Sequence, residues 1–200
     1  MKKSFFMRIY NPTLFLLTSS ILIFFVSMIT KYFTICFSNS EIEVIRQLTS
    51  TTMKINMYSN MVSFSLLIIT LSLVILELYN RFKNDKIGNY FKSLYKTMLL
   101  RYFLVQTEIT EKVITIENQS ITTSNPINYN FNRSVKKGFV DIRQETVTIF
   151  LKVPRSQQAQ KLLKEMEPQI KEEISSRNQN YYFSSPTRVN NSLWFEGKKR

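Results

Sequence analysis

The 200-residue sequence contains no histidine and a single cysteine, Cys36. The absence of histidine removes the commonest general base and any Cys/His zinc site. A lone cysteine excludes an internal disulfide; at the end of an apolar run, Cys36 reads as filler. Glycine is nearly as scarce, with only Gly88, Gly138 and Gly197. They are too dispersed to form a phosphate-cradling loop, so the chain carries neither a P-loop nor a dinucleotide fingerprint. Acidic residues number 14 against 27 Lys and Arg, a net charge of +13. Glu145, Glu165, Glu167, Glu172 and Glu173 could in principle pair as acid and base. Glu165 and Glu172 fall on the exposed side of a helical pattern, where no burial would raise a pKa. No enzyme, metal or cofactor is expected from this inventory.

What the chain does have is two long apolar runs. Thr13 to Thr30 is 18 residues without a charge, and Ile55 to Leu76 is a longer uncharged run. Each approaches the roughly 20 apolar residues that a bilayer span needs. Spans are expected over about 13–33 and 57–79, with Tyr32 and Tyr79 at interfaces. The first run lacks the small-residue cleavage site of a signal peptide. Lys2, Lys3 and Arg8 precede the first span, and Arg81, Lys83, Lys86 and Lys92 follow the second. Charges in the loop between them cancel. The positive-inside bias therefore puts both termini in the cytoplasm and Ser38 to Met53 outside, in a multi-pass cell-membrane protein. Neither span holds a charge at mid-depth, which argues against an ion path. Ser19, Ser20, Ser27, Ser63, Ser65, Thr70 and Ser72 suit helix–helix packing, and homo-oligomers are expected.

After a basic leader (1–12) and this hairpin (13–80), residues 81–106 read as a juxtamembrane amphipathic helix. Ile87, Phe91, Leu94, Tyr95, Met98 and Tyr102 share its apolar face, which suits the membrane interface. Residues 107–200 read as a small cytosolic α+β domain with helices packed on one face of an antiparallel sheet. Lys112 to Glu117 alternates like a strand, Asn118 to Pro126 is turn-rich, and Ile127, Tyr129 and Phe131 alternate again. Asn132 to Gly138 reads as a basic loop. Phe139 to Val153 reads as a β-hairpin turning at Gln144–Glu145. Ser156 is a candidate N-cap for a helix to Arg177, in which Pro168 predicts a kink or a break. Tyr181 to Ser184 and Ser192 to Glu196 read as short strands, with a turn at Ser185 to Thr187.

Beyond Asn80 there are 21 Lys and Arg against 11 Asp and Glu, so +10 of the charge lies there. Attraction to an anionic leaflet accounts for such an excess, and so does a polyanionic partner, nucleic acid or nucleotide. Arg133, Lys136, Lys137, Arg143, Lys152, Arg155 and Arg188 are the candidate anion or nucleic-acid site. Lys152 and Arg155 flank a strand-to-helix junction, where a helix N-terminus suits an anion. Set against this, scattered charge is usually a solvated face. Tyr181, Tyr182, Phe183 and Trp194 could stack bases, although aromatics at strand spacing are more often core and rim.

In order and spacing the chain resembles the membrane-proximal N-terminal region of FtsK/SpoIIIE-type coupling ATPases of conjugative elements. Arg81 to Gln106 resembles that family's basic stretch and amphipathic helix, and Phe139 to Arg177, with its FVDIRQETVTIFLKV run, resembles the small α+β region that follows. The family's motor, with its phosphate-binding loop, comes after this region and has no counterpart here. The resemblance implies a split or stand-alone scaffold or adaptor that docks a P-loop motor ATPase or DNA in a DNA-transfer machine. The alternative is a two-span defence effector, whose cytosolic domain senses an anionic nucleotide and whose hairpins assemble to permeabilise the membrane.

Overall fold

A computed structural model describes residues 2–107 and 125–200 with their side chains, and residues 111–114 and 120–123 as backbone. The chain divides into two compact units, one of Arg8–Asn80 and one of Met1–Met7 with Arg81–Arg200.

Two helices, α1 (Phe5–Phe37) and α2 (Glu43–Asn84), supply the first unit and are long and apolar enough to cross a membrane. At 1.5 Å per residue they measure about 50 and 63 Å, well beyond a hydrocarbon core of roughly 30 Å. Both exceed the expected spans. Most of the expected outer loop, Ser38 to Met53, is helical, because α2 already starts at Glu43. Its first turns are stabilised by local pairs, with Arg46 on Glu43 at 2.5 Å and Gln47 on Glu43 at 3.3 Å. The leader is likewise helical from Phe5.

The two helices face each other through small polar side chains. Ser20 Oγ donates to the Ser63 carbonyl at 2.9 Å, and Ser63 Oγ donates back to the Ser20 carbonyl at 3.0 Å. Asn56 Nδ2 donates to the Ser27 carbonyl at 2.6 Å. The hydroxyls of Thr34 and Thr52 are 3.2 Å apart. Small side chains let the backbones approach, and hydrogen bonds between helices add to packing where apolar burial cannot. Ser65, Thr70 and Ser72 bond instead to carbonyls of their own helix.

The second unit is α+β. Its elements are α3 (Gly88–Leu104), β1 (Glu111–Ile114), β2 (Ser120–Thr123), α4 (Pro126–Val135), β3 (Phe139–Ile142), β4 (Thr146–Lys152), α5 (Gln157–Arg177), β5 (Tyr181–Phe183), β6 (Thr187–Val189) and β7 (Ser192–Lys199). The main sheet runs β3-β4-β7-β5, with β6 on the same side of β7 as β5, and every pairing is antiparallel. The β3–β4 hairpin turns at Gln144–Glu145 as expected, closed by Arg143 N–H donating to the Thr146 carbonyl at 2.8 Å. One sheet face carries Val140, Ile142, Val147, Ile149, Leu151, Leu193 and Phe195. The apolar stripe of α5 covers it together with Phe131 and Val135 of α4 and Leu100 and Leu104 of α3.

Five local expectations change. The stretch at Ile127–Phe131 is helical, not a strand. Asn125 caps it by accepting from Ile127 N–H at 3.0 Å, with Pro126 in the first turn. Ile127, Phe131 and Val135 then follow at intervals of four. This helix also replaces most of the expected basic loop at Asn132–Gly138. The turn-rich stretch before Pro126 holds β2, paired with β1; Glu108 to Thr110, Thr115 to Gln119 and Ser124 lie outside the described residues. The third concerns Pro168, which does not divide α5. Pro168 and Lys164 are both exposed, so the carbonyl that loses its partner faces water. Meanwhile Leu163, Met166, Ile170 and Ile174 hold both halves to the sheet. Fourth, Thr187 belongs to β6, which joins β7 through Asn190–Asn191, both at positive φ (44° and 58°). Two such residues make the turn that matches strand twist.

The fifth change concerns α3, whose buried face is polar: Asn89, Tyr90, Ser93 and Thr97 precede Leu100 and Leu104. The expected apolar face, Phe91, Tyr95, Met98 and Tyr102, is exposed. The reason lies at the sheet edge, where among the described residues β3 has no strand neighbour on its outer side. Ser93 Oγ accepts from Ile142 N–H at 2.8 Å, and Thr97 Oγ1 accepts from Val140 N–H at 3.0 Å. Arg101 Nε donates to the Gly138 carbonyl at 2.9 Å. Four residues of helix span about 6 Å and two of strand about 7 Å, so hydroxyls at i and i+4 match alternate strand amides. A helix of side-chain donors and acceptors thus takes the place of the missing strand.

A candidate anion-binding cleft on the α+β unit

The cleft forms where α4 ends, β4 ends and α5 begins. At the C-terminus of α4, Lys137 N–H donates to the Ser134 carbonyl and Gly138 N–H to the Val135 carbonyl, at 3.0 and 2.8 Å. This tight turn brings the chain straight into β3. A Cβ at Gly138 would lie 2.8 Å from Leu151 Cδ2 and 3.0 Å from the Val135 carbonyl, so a larger residue would have to displace the buried Leu151 side chain. On the other side, β4 ends at Lys152, and Ser156 caps α5 by accepting from Ala159 N–H.

Between these ends lies a cleft of about 120 Å³ lined by Asn130, Arg133, Ser134, Lys137, Lys152, Val153 and Arg155. Four of the seven lining residues are cationic and none is acidic. Serine and asparagine add neutral hydrogen-bonding groups beside them. Such a lining suits one anionic group, of phosphate size, held by charge-assisted hydrogen bonds.

Lys3 joins this electropositive region from a remote part of the sequence. Its Nζ lies 3.9 Å from the centre of the Phe150 ring and 5.7 Å from that of Phe139. Phe150 also meets Trp194 edge-on at 5.0 Å, so the sheet face opposite the main core is aromatic. Burial against these rings, followed by repulsion from Lys152 and Lys137, holds the Lys3 ammonium below the usual lysine value of 10.5. No local pattern in the sequence pairs Lys3 with residues so far along the chain; only the charge of the leader hinted at it.

The candidate set from the sequence is therefore divided. Arg133, Lys137, Lys152 and Arg155 converge on the cleft. Lys136 is the exposed C-cap of α4 and does not line it. Arg143 lies at the hairpin turn, six residues along β4 from Lys152 or about 20 Å, where its Nε faces Asp141 at 3.5 Å. Arg188 belongs to β6 and donates to Gln160 Oε1 at 2.9 Å, on a separate groove of about 640 Å³.

Several of the other candidates are held by contacts within the fold. Phe183 and Trp194 are buried, and Tyr181 Oη donates to the Arg143 carbonyl at 2.9 Å. Burial, then Asp85 and Glu145, push the Tyr181 phenol above its usual 10.0. Only Tyr182 of that aromatic group is exposed. Glu145 pairs with Lys199, Glu165 with Lys161 and Glu173 with Arg177.

No family model, curated protein or solved structure matches the chain.

Proposed function

We propose that this chain is a non-enzymatic, two-span membrane adaptor of a DNA-transfer machine, with both termini in the cytoplasm and an α+β domain that engages phosphate groups. The observation that carries this reading is the cleft in which Arg133, Lys137, Lys152 and Arg155 converge without a lining carboxylate. Concentrated positive charge of this kind gives sequence-independent, salt-dependent affinity for nucleic acid. The order of leader, hairpin, amphipathic helix and α+β unit, which resembles the membrane region of FtsK/SpoIIIE-type coupling proteins, supports a place beside a P-loop motor ATPase. Ser65 and Ser72, exposed on α2, leave small side chains that support self-association within the membrane.

The test uses the full chain in lipid nanodiscs with short duplex DNA. Binding should weaken steeply with salt, and Lys137→Ala/Lys152→Ala/Arg155→Ala should lower both the affinity and the salt slope. Equal binding by the parent and the triple variant would remove the cleft from the proposal. Association with a motor is tested separately, by crosslinking in native membranes; recovery of no P-loop ATPase would count against the machine. For orientation, Cys36 is exposed near the end of α1. A membrane-impermeant maleimide should label it in intact cells, whereas labelling only after permeabilisation would reverse the topology.

The small volume of the cleft favours a second reading, in which it takes one phosphate of an anionic nucleotide and the chain is a membrane-permeabilising defence effector. Dye release from proteoliposomes on adding cyclic nucleotides supports that reading, and its absence removes it.

A further inference from the structure

The exposed face of α3 needs an occupant. Phe91, Tyr95, Met98 and Tyr102 are 61%, 61%, 64% and 85% exposed, and Ile87 extends the line toward α2. Their spacing of four, three and four keeps them on one side of a helix about 25 Å long. The helix cannot roll to hide them. Its other side is bonded to β3 through Ser93, Thr97 and Arg101 and packed into the core through Leu100 and Leu104. A continuous apolar stripe of this size is a mark of an interaction surface.

Three features select the occupant. Only Asp85, Lys86 and Ile87 separate the end of α2 from the start of α3. Three residues reach at most about 11 Å, so α3 begins close to a helix apolar enough to cross a bilayer. The stripe mixes Phe and Met with two tyrosines, whose rings are apolar and whose hydroxyls prefer water, as at a headgroup boundary. Finally, α3 carries no Asp or Glu, and its exposed cation, Lys92, borders the stripe beside Phe91. A second copy of α3 offers that lysine no counter-charge, whereas an anionic leaflet does.

We infer that α3 is an in-plane membrane anchor, its aromatic stripe seated at the headgroup–acyl boundary of an anionic phospholipid leaflet. The α+β unit is then held to the bilayer along the length of a helix as well as by the chain that leads into it. This inference depends on the spans but not on the anion cleft or on any DNA-transfer role.

The test is depth-dependent fluorescence quenching of the full chain in vesicles of phosphatidylcholine with or without phosphatidylglycerol. In a Cys36→Ser background, Tyr95→Cys or Met98→Cys carries an environment-sensitive label, and Glu172→Cys on the exposed side of α5 is the control. These positions are solvent-exposed, so labelling leaves the core intact. Lipids brominated near the headgroup should quench positions 95 and 98 several-fold more than position 172, and more strongly with phosphatidylglycerol present. Quenching no greater than at position 172 would overturn the inference. Efficient crosslinking between position 98 of two copies, without lipid quenching, would also overturn it and make a second copy the occupant.

Discussion

Arg81 Nη2 lies 2.6 Å from Asp141 Oδ1, with 3% and 2% of the two side chains exposed. The pair joins the last turn of α2 to the edge strand β3. Arg81 also donates to the Ile142 carbonyl at 2.9 Å, and Asp85 holds Asn89 and the Gln144 amide at 2.7 and 2.9 Å. Both charges are compensated, but neither can lose its partner cheaply. Asp141→Ala should destabilise the α+β unit by about 1–3 kcal/mol, because it removes the nearer carboxylate from a buried guanidinium and leaves only Asp85 at 3.5 Å to face it. Arg81→Met/Asp141→Leu should recover most of that loss. Urea unfolding in detergent, read through the buried single tryptophan Trp194, measures both. An unchanged midpoint for Asp141→Ala would show that the pair contributes nothing.

The hydroxyls of Ser93 and Thr97 replace a strand partner for β3, so removing one strands a buried amide. Thr97→Val keeps the shape and should cost about 1–3 kcal/mol. Hydrogen exchange gives the site-specific readout: the Val140 amide should speed up in Thr97→Val, and the Ile142 amide in Ser93→Ala. If these amides stay as protected as in the parent, the edge is held by other contacts.

Lys3 gives the cleft a pH dependence whose sign is fixed. Its pKa in the fold is lowered from 10.5, so the unfolded chain binds more protons between the two values. Stability should therefore rise with pH through that alkaline window. Anion binding should do the opposite, since a bound phosphate favours the charged ammonium and loses it as pH rises. Lys3→Met should flatten the alkaline fall in affinity for duplex DNA. A fall of the same size in Lys3→Met would assign it to another group.

Asn190 and Asn191 carry the β6–β7 turn at positive φ, and the Asn191 carbonyl accepts from Val153 N–H at 3.1 Å. Asparagine tolerates this backbone and β-branched residues do not. Asn190→Val should cost about 1–2 kcal/mol in thermal unfolding, while Asn191→Gly should be neutral or stabilising. Indifference to Asn190→Val would mean that the turn relaxes to another form.

The elements most legible in the sequence were those with long local periods. The two apolar runs, the hairpin turning at Gln144–Glu145 and the Ala159–Ile174 stripe behind its Ser156 cap can each be read without knowledge of a neighbour. Short segments were harder. Ile127, Tyr129 and Phe131 alternate like a strand, yet Ile127, Phe131 and Val135 also fit a helix, and the Asn125–Pro126 cap decides between them. In the cleft, Lys152 and Arg155 were readable because they flank one junction. Arg143 and Arg188 were not separable from them, since charge alone carries no position.

The sequence by itself determined the apolar spans, the α+β class and the excess of positive charge, because these follow from composition and from repeats of two and near four. Only the tertiary structure decided which face of α3 is buried. Hydrophobicity pointed to Phe91, Tyr95, Met98 and Tyr102, but β3 presents unpaired amides at its edge, and an unmet buried hydrogen bond is costlier than an exposed aromatic ring. Ser93 and Thr97 therefore face inward. The same is true of Lys3, which reaches Phe150 and Lys152 only because folding brings the leader onto the sheet of the α+β unit.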